Sequence, residues 1–404
     1  MKKTSHTHAF EVKAEIAIVG AGLVGMATAI ALHEAGFSTV LIDSQTPTVS
    51  CENWDARIYA ISPNNVAWLK KLGVWQFVHM TRVAEIKAMA LMDDSESSAL
   101  LLSAEDANQD TLGFIIEGCN LSHALLQRIR SLNITTLFNA PCQALQIDAV
   151  SAILEGVDFT VKSTLLIAAD GANSWVRQQL NIGAQQKPYE QTAIVANFEV
   201  KSSPENTARQ WFAQDAFAKN SILAWLPLPT INNKHYISIV WSVSNQYAQE
   251  LMQLTEADFS QQVSSAGDNI LGEIALVTPR ATFPLALQKA EVLYQNCAVL
   301  LGDAAHTIHP MAGQGMNLGF RDVIDFVKVL TEKNKYQQLS DKNLLNQYTR
   351  SRKADLLNMH LLTDGLFRLF ENQNSVIKKV RQWGFAATKL QLIKKLLVAY
   401  AIKQ

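Results

Sequence analysis

The chain has 404 residues, 48% of them hydrophobic and 18% charged, which is long enough for two or three compact units and too apolar to stay disordered. Its 35 Lys and Arg against 36 Asp and Glu leave a formal net charge of -1, so no chain-wide basic excess points to nucleic acid. Four cysteines, Cys51, Cys119, Cys142 and Cys297, form neither CxxC nor zinc-ligand spacing; they read as buried thiols in a reducing cytoplasm, and no metal is expected.

Met1 to Lys13 carries Lys2 and Lys3 with no apolar core behind them, so it is not expected to be a secretory signal, and His6 and His8 read as solvated. The uncharged run Ile16 to Leu32 has the length of a membrane span, but Gly20, Gly22 and Gly25 fall inside it at dinucleotide-binding spacing. Glu15 to Val19 predicts a strand, Gly20-Ala21-Gly22-Leu23-Val24-Gly25 is GxGxxG, and Met26 to Ala35 predicts a helix closed by Gly36. Thr39 to Ile42 predicts a second strand ending in Asp43, 18 residues beyond Gly25, where an acid suits a ribose hydroxyl. Together these outweigh the chance match that a lone GxGxxG represents.

Asp55-Ala56-Arg57 follows, its arginine placed to approach a pyrophosphate; a surface arginine is the plain alternative. Asn64 to Leu72 predicts a helix ending at Gly73, Ile86 to Met92 and Leu100 to Leu102 short strands that join a second sheet, and Leu121 to Ile129 an amphipathic helix. Thr135–Phe138 and Ala144–Ile147 are further strands. Thr164 to Ala169 is an apolar strand that breaks at Asp170-Gly171 and re-enters helix from Ser174 to Arg177. No second GxGxxG follows a strand, so no separate fold for a nicotinamide cofactor is expected.

From Tyr189 to Arg280 short alternating runs predict an antiparallel sheet: Ala193 to Val200, Arg209 to Phe212, Ile222 to Leu226 and Tyr236 to Val243. Pro227 and Pro229 are expected to end the third of these. Trp211, Phe212, Trp225 and Trp241 are core by default, and some could line an apolar pocket. The run Cys297–Leu301 then predicts a buried strand leading into Gly302-Asp303-Ala304-Ala305-His306, with Asp303 placed to reach a polyhydroxyl chain lying across the strand end. His309, Pro310, Gly313, Gly315, Met316 and Asn317 lead into a helix whose positive end favours negative charge; a glycine-rich loop capping an ordinary helix is the alternative. The chain beyond Arg321 reads as helical. After Glu371 it is basic without acids, and Leu390, Ile393, Leu397 and Tyr400 share one helical face that packs on the protein or meets anionic lipid or a partner protein.

Gly302–Asp303, His306, Pro310, Gly313, Gly315, Asn317 and Arg321–Asp322 resemble the second FAD motif of the flavin-dependent aromatic hydroxylases that act in ubiquinone biosynthesis, relatives of para-hydroxybenzoate hydroxylase. The GxGxxG, the Asp55–Arg57 pair and Asp170–Gly171 are similar to the other cofactor motifs of that family. The resemblance implies an α/β fold: a Rossmann-like FAD-binding domain with an inserted antiparallel substrate sheet and a C-terminal helical region. The expected boundaries are 1–80, 105–185 and 291–330 for the FAD-binding domain, 81–104 and 186–290 for the substrate domain, and 331–404 for the helical region. It implies FAD contacts at Gly20, Gly22, Leu23, Val24, Gly25, Asp43, Arg57, Asp170, Gly171, Asp303, Gly313, Gly315, Met316 and Asn317, with Arg177 a weaker candidate.

The implied reaction is reduction of FAD by a transiently bound NAD(P)H, addition of molecular oxygen at flavin carbon 4a, and hydroxylation of a polyprenylated phenol. Pro310, His309 and His306 are the candidates at the reacting centre, His306 reading more readily as a structural partner of the loop. A membrane surface or a quinone-biosynthesis complex is an implied partner, and a cytoplasmic location, peripheral on the inner face of the membrane, is expected. Where the family carries a Gly-Pro pair before the Leu-Pro-Leu strand, this chain has Asp215 to Ser221 instead. Two other readings stay open: a hydroxylase of another small aromatic compound, and a non-catalytic FAD-holding subunit. The lysine and tryptophan motif of halogenases is not found, and the cysteine pattern rejects a disulfide reductase.

Overall fold

The computed structural model describes residues 10–47, 50–93, 99–213, 221–307 and 315–355. His6, His8, His309, Pro310, Gly313, the Asp215 to Asn220 stretch and the basic tail lie outside these residues.

Two large sheets carry the architecture. The first has eight strands, in the order Tyr294–Gln295, Ala298–Leu300, Phe159–Ala168, Phe10–Val19, Thr39–Ile42 and Thr135–Leu137, with the hairpin Ala144–Ile147 and Ala152–Glu155 alongside Phe159–Ala168. Its four central neighbours are parallel, and Val19 pairs with Ala168 and Ile42 while Ala168 pairs with Leu300, so these strands end at one level. Helices on its faces explain the unbroken apolar run Ile16 to Val19: a parallel strand is buried on both sides. Helices Leu23–Glu34, Gly118–Ser131 and Gly315–Thr331 share its core.

The second sheet has nine strands, running His306–Thr307, Ala281–Ala290, Ala184–Val200, Lys234–Ser244, Ser221–Ile231, Thr207–Ala213, Ala88–Asp93 and Ala99–Ser103, with Ile274–Leu276 beside Ala184–Val200. It is antiparallel except where the early hairpin Ala88–Asp93 joins Thr207–Ala213 in parallel. One face alternates: Ile194, Ala196, Phe198 and Val200, with Ile237, Ile239 and Trp241, pack beneath the helices Asn245–Gln253 and Glu256–Ala266. Trp211 and Trp225 join them, so the three tryptophans face the helices and not the cofactor side. A small sheet of Ile58–Ile61, Gly113–Glu117 and Val83–Ile86 stands between the two large ones. The expected strand Ile86 to Met92 is thus divided: Ile86 ends Val83–Ile86 on the small sheet, and Ala88–Asp93 joins the second large one.

Pro227 and Pro229 do not end their strand. It continues to Ile231 because Thr207–Ala213 pairs only as far as Trp225, leaving one side open where a missing N–H breaks no ladder bond, and Pro229 falls in the irregularity between Leu228 and Ile231. Cys119 and Cys297 are buried but Cys51 and Cys142 are only half-buried. Among the described residues no helix is long and apolar enough to cross a membrane, and no group of three or more metal-ligating side chains occurs.

Candidate FAD site

The carboxyl ends of four neighbouring strands bring the separated motifs into one row. Asp303 follows Ala298–Leu300, Asp170 and Gly171 follow Phe159–Ala168, the GxGxxG follows Phe10–Val19, and Asp43 follows Thr39–Ile42. This is the edge of an open α/β sheet at which nucleotides bind.

Each glycine of the GxGxxG has its own physical reason. Gly20 turns at φ +105°, and a Cβ there would lie 2.3 Å from the Ala169 carbonyl oxygen; a Cβ on Gly25 would lie 1.8 Å from the Gly20 oxygen. Those two let strand, turn and helix close up. Gly22 differs: a Cβ there would meet nothing within 4 Å, and the same holds at Gly171 and Gly315. These three border open space, the cradle that a phosphate-bearing ligand needs for close approach to backbone N–H groups. Leu23 is buried, and Val24 fills the gap beside Gly302 and Gly319, where a Cβ would lie 3.2 Å and 2.7 Å from its Cγ2. The first and second motifs are therefore packed on each other.

The acids divide into two kinds. Asp43 braces the glycine turn, its Oδ2 accepting from Ala21 N–H and its Oδ1 from Gln45 N–H at 2.8 Å. Asp170 Oδ2 accepts from Val176 N–H at 3.0 Å, while its buried Oδ1 has no hydrogen-bonding partner among the described residues. Burial raises the Asp170 carboxyl above its ordinary value against the hydrogen bonds from Ser174 and Val176. Asp303 is exposed at the strand end, with protein groups around it; desolvation pushes its carboxyl up, His306 opposes, and the nearby Asp322 carboxylate adds to the rise. An acid so placed gains from a hydroxyl donor. The unpartnered Asp170 oxygen, the exposed Asp303 and the open space at Gly22, Gly171 and Gly315 fit a nucleotide with a polyhydroxyl chain, as FAD is.

Beside Asp303 in the chain lies a buried ion-pair network centred on Asp322. Asp322 Oδ2 accepts from Gly302 N–H at 2.8 Å and stands 2.7 Å from His306 Nε2; its Oδ1 accepts from Arg352 Nε at 2.6 Å. Arg352, on the helix of residues 342–355, also bonds Asp325 at 2.9 Å and Asp355 at 2.8 Å. Burial alone would raise Asp322, but His306 and Arg352 outweigh it and hold the carboxyl below its ordinary value. His306 is 3% exposed with Nε2 committed to Asp322, which gives it a holding role in the loop. Arg177 staples two motifs, donating to the carbonyls of Ala304 at 2.9 Å and Ala172 at 2.7 Å.

Asn317 is buried, and its side chain serves the protein: Oδ1 accepts from Ser62 N–H and Asn65 Nδ2, both at 2.9 Å, and Nδ2 donates to the Ala60 carbonyl at 2.9 Å. A cofactor contact from this residue is thereby left to its backbone N–H at the helix start, beside Gly315 and Met316. Arg57 is exposed, following an Asp55 whose carboxylate accepts from Arg57 N–H at 2.8 Å and Cys119 N–H at 2.9 Å. Asp55 is itself held by the buried Glu117–Arg82 pair at 2.7 Å.

Tyr59, Arg352, Gly319 and Asn197 were not singled out from sequence. Tyr59 sits on the small sheet; burial pushes its hydroxyl pKa up, with Arg57 opposing and Asp303 adding to the rise, so it lies near both residues.

The FAD binding domain family matches residues 13–358. The chain is 32% identical over 398 residues to the 3-demethoxyubiquinol 3-hydroxylase of Escherichia coli K12, covering 96% of this chain and 98% of that one. It is 28% identical over 442 residues to a mitochondrial ubiquinone biosynthesis monooxygenase of Homo sapiens, covering 96% and 92%. Among solved structures, p-nitrophenol 4-monooxygenase from Pseudomonas putida superposes with a TM-score of 0.75 at 15% identity over 96% of this chain and 97% of that one, a likeness of fold.

Proposed function

The chain belongs to the FAD-binding hydroxylases of ubiquinone biosynthesis, an FAD-dependent monooxygenase family, and from that premise we propose that it uses NAD(P)H and dioxygen to hydroxylate the aromatic ring of a polyprenylated phenol. The observation that carries this reading is the single row of Asp303, Asp170–Gly171, Gly20–Gly25 and Asp43 at the edge of the parallel sheet.

Bound FAD supplies the oxygen-activating redox chemistry. Gly22, Gly171 and Gly315 border the space in which its phosphates and ring would sit, Asp303 takes ribityl hydroxyls, and Asp43 serves the adenosine ribose. Arg57 and Tyr59 lie on the pyrophosphate side. Asp322, His306 and Arg352 hold the Gly302–His306 loop in place, so they are positioning residues, while Pro310 and His309 remain the candidates nearest the reacting atoms. The helix starting at Gly315 has its positive end where Gly315 borders open space and favours negative charge there. The cofactor part comprises 1–80, 105–185 and 291–330, the substrate part 81–104 and 186–290, and 331–404 forms the helical remainder. Because a polyprenyl chain partitions into lipid, the working place of the enzyme is the membrane surface, with the basic stretch after Glu371 as the contact.

The test is substrate-stimulated NAD(P)H oxidation by the FAD-loaded protein with a prenylated phenol, scored by mass spectrometry of the product. One hydroxylated product per NAD(P)H supports the reading; oxidation that yields hydrogen peroxide and no hydroxylated ring contradicts it. Sedimentation with anionic vesicles, compared before and after truncation at Glu371, tests the location: equal binding by both removes the tail from it.

A further inference from the structure

The inner face of the antiparallel sheet, opposite its helix-covered face, holds two polar side chains with no counterpart. Asn197 and Ser238 are direct cross-strand partners, so their side chains share one face at a separation of roughly 4.5–5.5 Å between Cβ atoms. Both are fully buried, and neither Asn197 Oδ1 nor Ser238 Oγ has a hydrogen-bonding partner among the described residues. An unsatisfied buried polar atom costs about 1–3 kcal/mol, and buried polar groups in native folds are overwhelmingly paired. Two side by side ask for a shared partner.

Their surroundings say what kind. Ser238 pairs with Leu226, and the next row on the same face is Val195, Val240 and Ala224. Leu226, Val240 and Ala224 are only half-buried, Leu226 packing at the edge of the small-sheet core, so an apolar strip with accessible surface runs up to the polar pair. Asn197 Nδ2 donates to the Asp55 carbonyl at 2.9 Å, and Asp55 in turn bonds Arg57 N–H. The pair therefore stands one hydrogen-bonded residue, Asp55, away from Arg57, the candidate cofactor arginine. Asparagine Oδ1 accepts only, while a serine hydroxyl accepts or donates. A phenolic hydroxyl donating to Asn197 and accepting from Ser238 satisfies both at once, and its apolar ring and chain match Leu226, Val240 and Ala224.

We propose that Asn197 and Ser238 are a specificity-determining pair that binds the ring oxygen of the aromatic substrate, a deepening that rests on the hydroxylase reading. Both atoms are closed to solvent in this structure, so docking of the ring requires the side chains that cover them to move. The pair has the mark of a functional site: a group kept at the expense of stability.

The FAD-loaded protein is titrated with 2-geranylphenol and with geranylbenzene, which lacks the ring oxygen, following the flavin absorbance difference. The wild type is expected to favour the phenol by about 10-fold. Ser238→Ala brings that ratio to within about 3-fold of unity, while its thermal midpoint holds or rises because an unpartnered hydroxyl has gone. Ser163→Ala is the control: Ser163 Oγ is likewise buried and unpartnered, but on the parallel sheet. It should match the stability effect and keep the wild-type ratio. A wild-type ratio near one, no binding of the phenol, or a Ser238→Ala ratio equal to the wild type's overturns the assignment. Absence of hydroxylated product in wild-type turnover overturns the hydroxylase reading instead, so the two fail separately.

Discussion

Asp322 and Asp303 lie on either side of the same loop and are treated in opposite ways. Around Asp322 both carboxylate oxygens are answered: Gly302 N–H, His306 and Arg352 all converge on one fully buried carboxylate, and only Arg352 Nη2 in that network has no hydrogen-bonding partner among the described residues. Around Asp303 and the Asp170 Oδ1 polar capacity is left unanswered by the described residues, and Gly22 borders open space. The first arrangement fixes backbone, the second presents chemistry to something outside the chain. The contrast assigns roles that the residue types alone do not, since both residues are aspartates of one motif.

The largest expected effect breaks the closed side. Arg352→Met leaves Asp322 buried with one fewer cation, and removing one partner of a buried pair costs about 3–5 kcal/mol; urea unfolding of the cofactor-free protein measures it. An unchanged midpoint would show that the network does not support the loop. Next is Gly25→Ala, whose Cβ would lie 1.8 Å from the Gly20 oxygen; overpacking of this kind costs about 1–3 kcal/mol and more where backbone must move.

The pH dependences of the two aspartates should carry opposite signs. Asp322 is held below its ordinary value of 3.8, so its stabilisation is present above that pH and is lost as pH falls through the depressed value. Asp322→Asn is therefore less stable than wild type at pH 6, and the gap narrows below about pH 3.8. Asp303 is raised, so its ionised form strains the cofactor-free fold above its ordinary 3.8 and protonation relieves that strain. Asp303→Asn should then equal or exceed wild type in thermal midpoint at pH 7 while binding FAD about 10- to 100-fold more weakly. A variant that loses stability and keeps FAD would reverse the roles given to the pair. The smallest stability effect is at Gly22, where Gly22→Ala should stay within about 0.5 kcal/mol of wild type.

The open side was legible in the sequence and the closed side was not. Glycines at fixed spacing after an apolar strand announce a turn and a close approach, and a carboxylate just past a strand end announces a reach, so Gly20, Gly22, Gly25, Asp43, Asp170 and Asp303 could be named from local pattern. Arg352 answers Asp322 from 30 residues away, and Asn197 meets Asp55 from 142. Nothing local marks either pairing. Asn317 adds something its motif does not announce: its side chain joins Ser62 and Ala60 to the helix start. The prolines misled because a proline stops a strand only where its N–H would have been used, and that depends on where the neighbouring strand ends.

Titration of the cofactor-free protein with FAD, wild type beside Gly22→Leu, tests the central claim most directly. The account predicts one FAD per wild-type chain with the absorption of a bound flavin, and a Gly22→Leu protein of unchanged thermal midpoint that fails to bind because its side chain fills the cradle. A colourless wild type that refuses FAD, or a Gly22→Leu protein that binds as well as wild type, would contradict it.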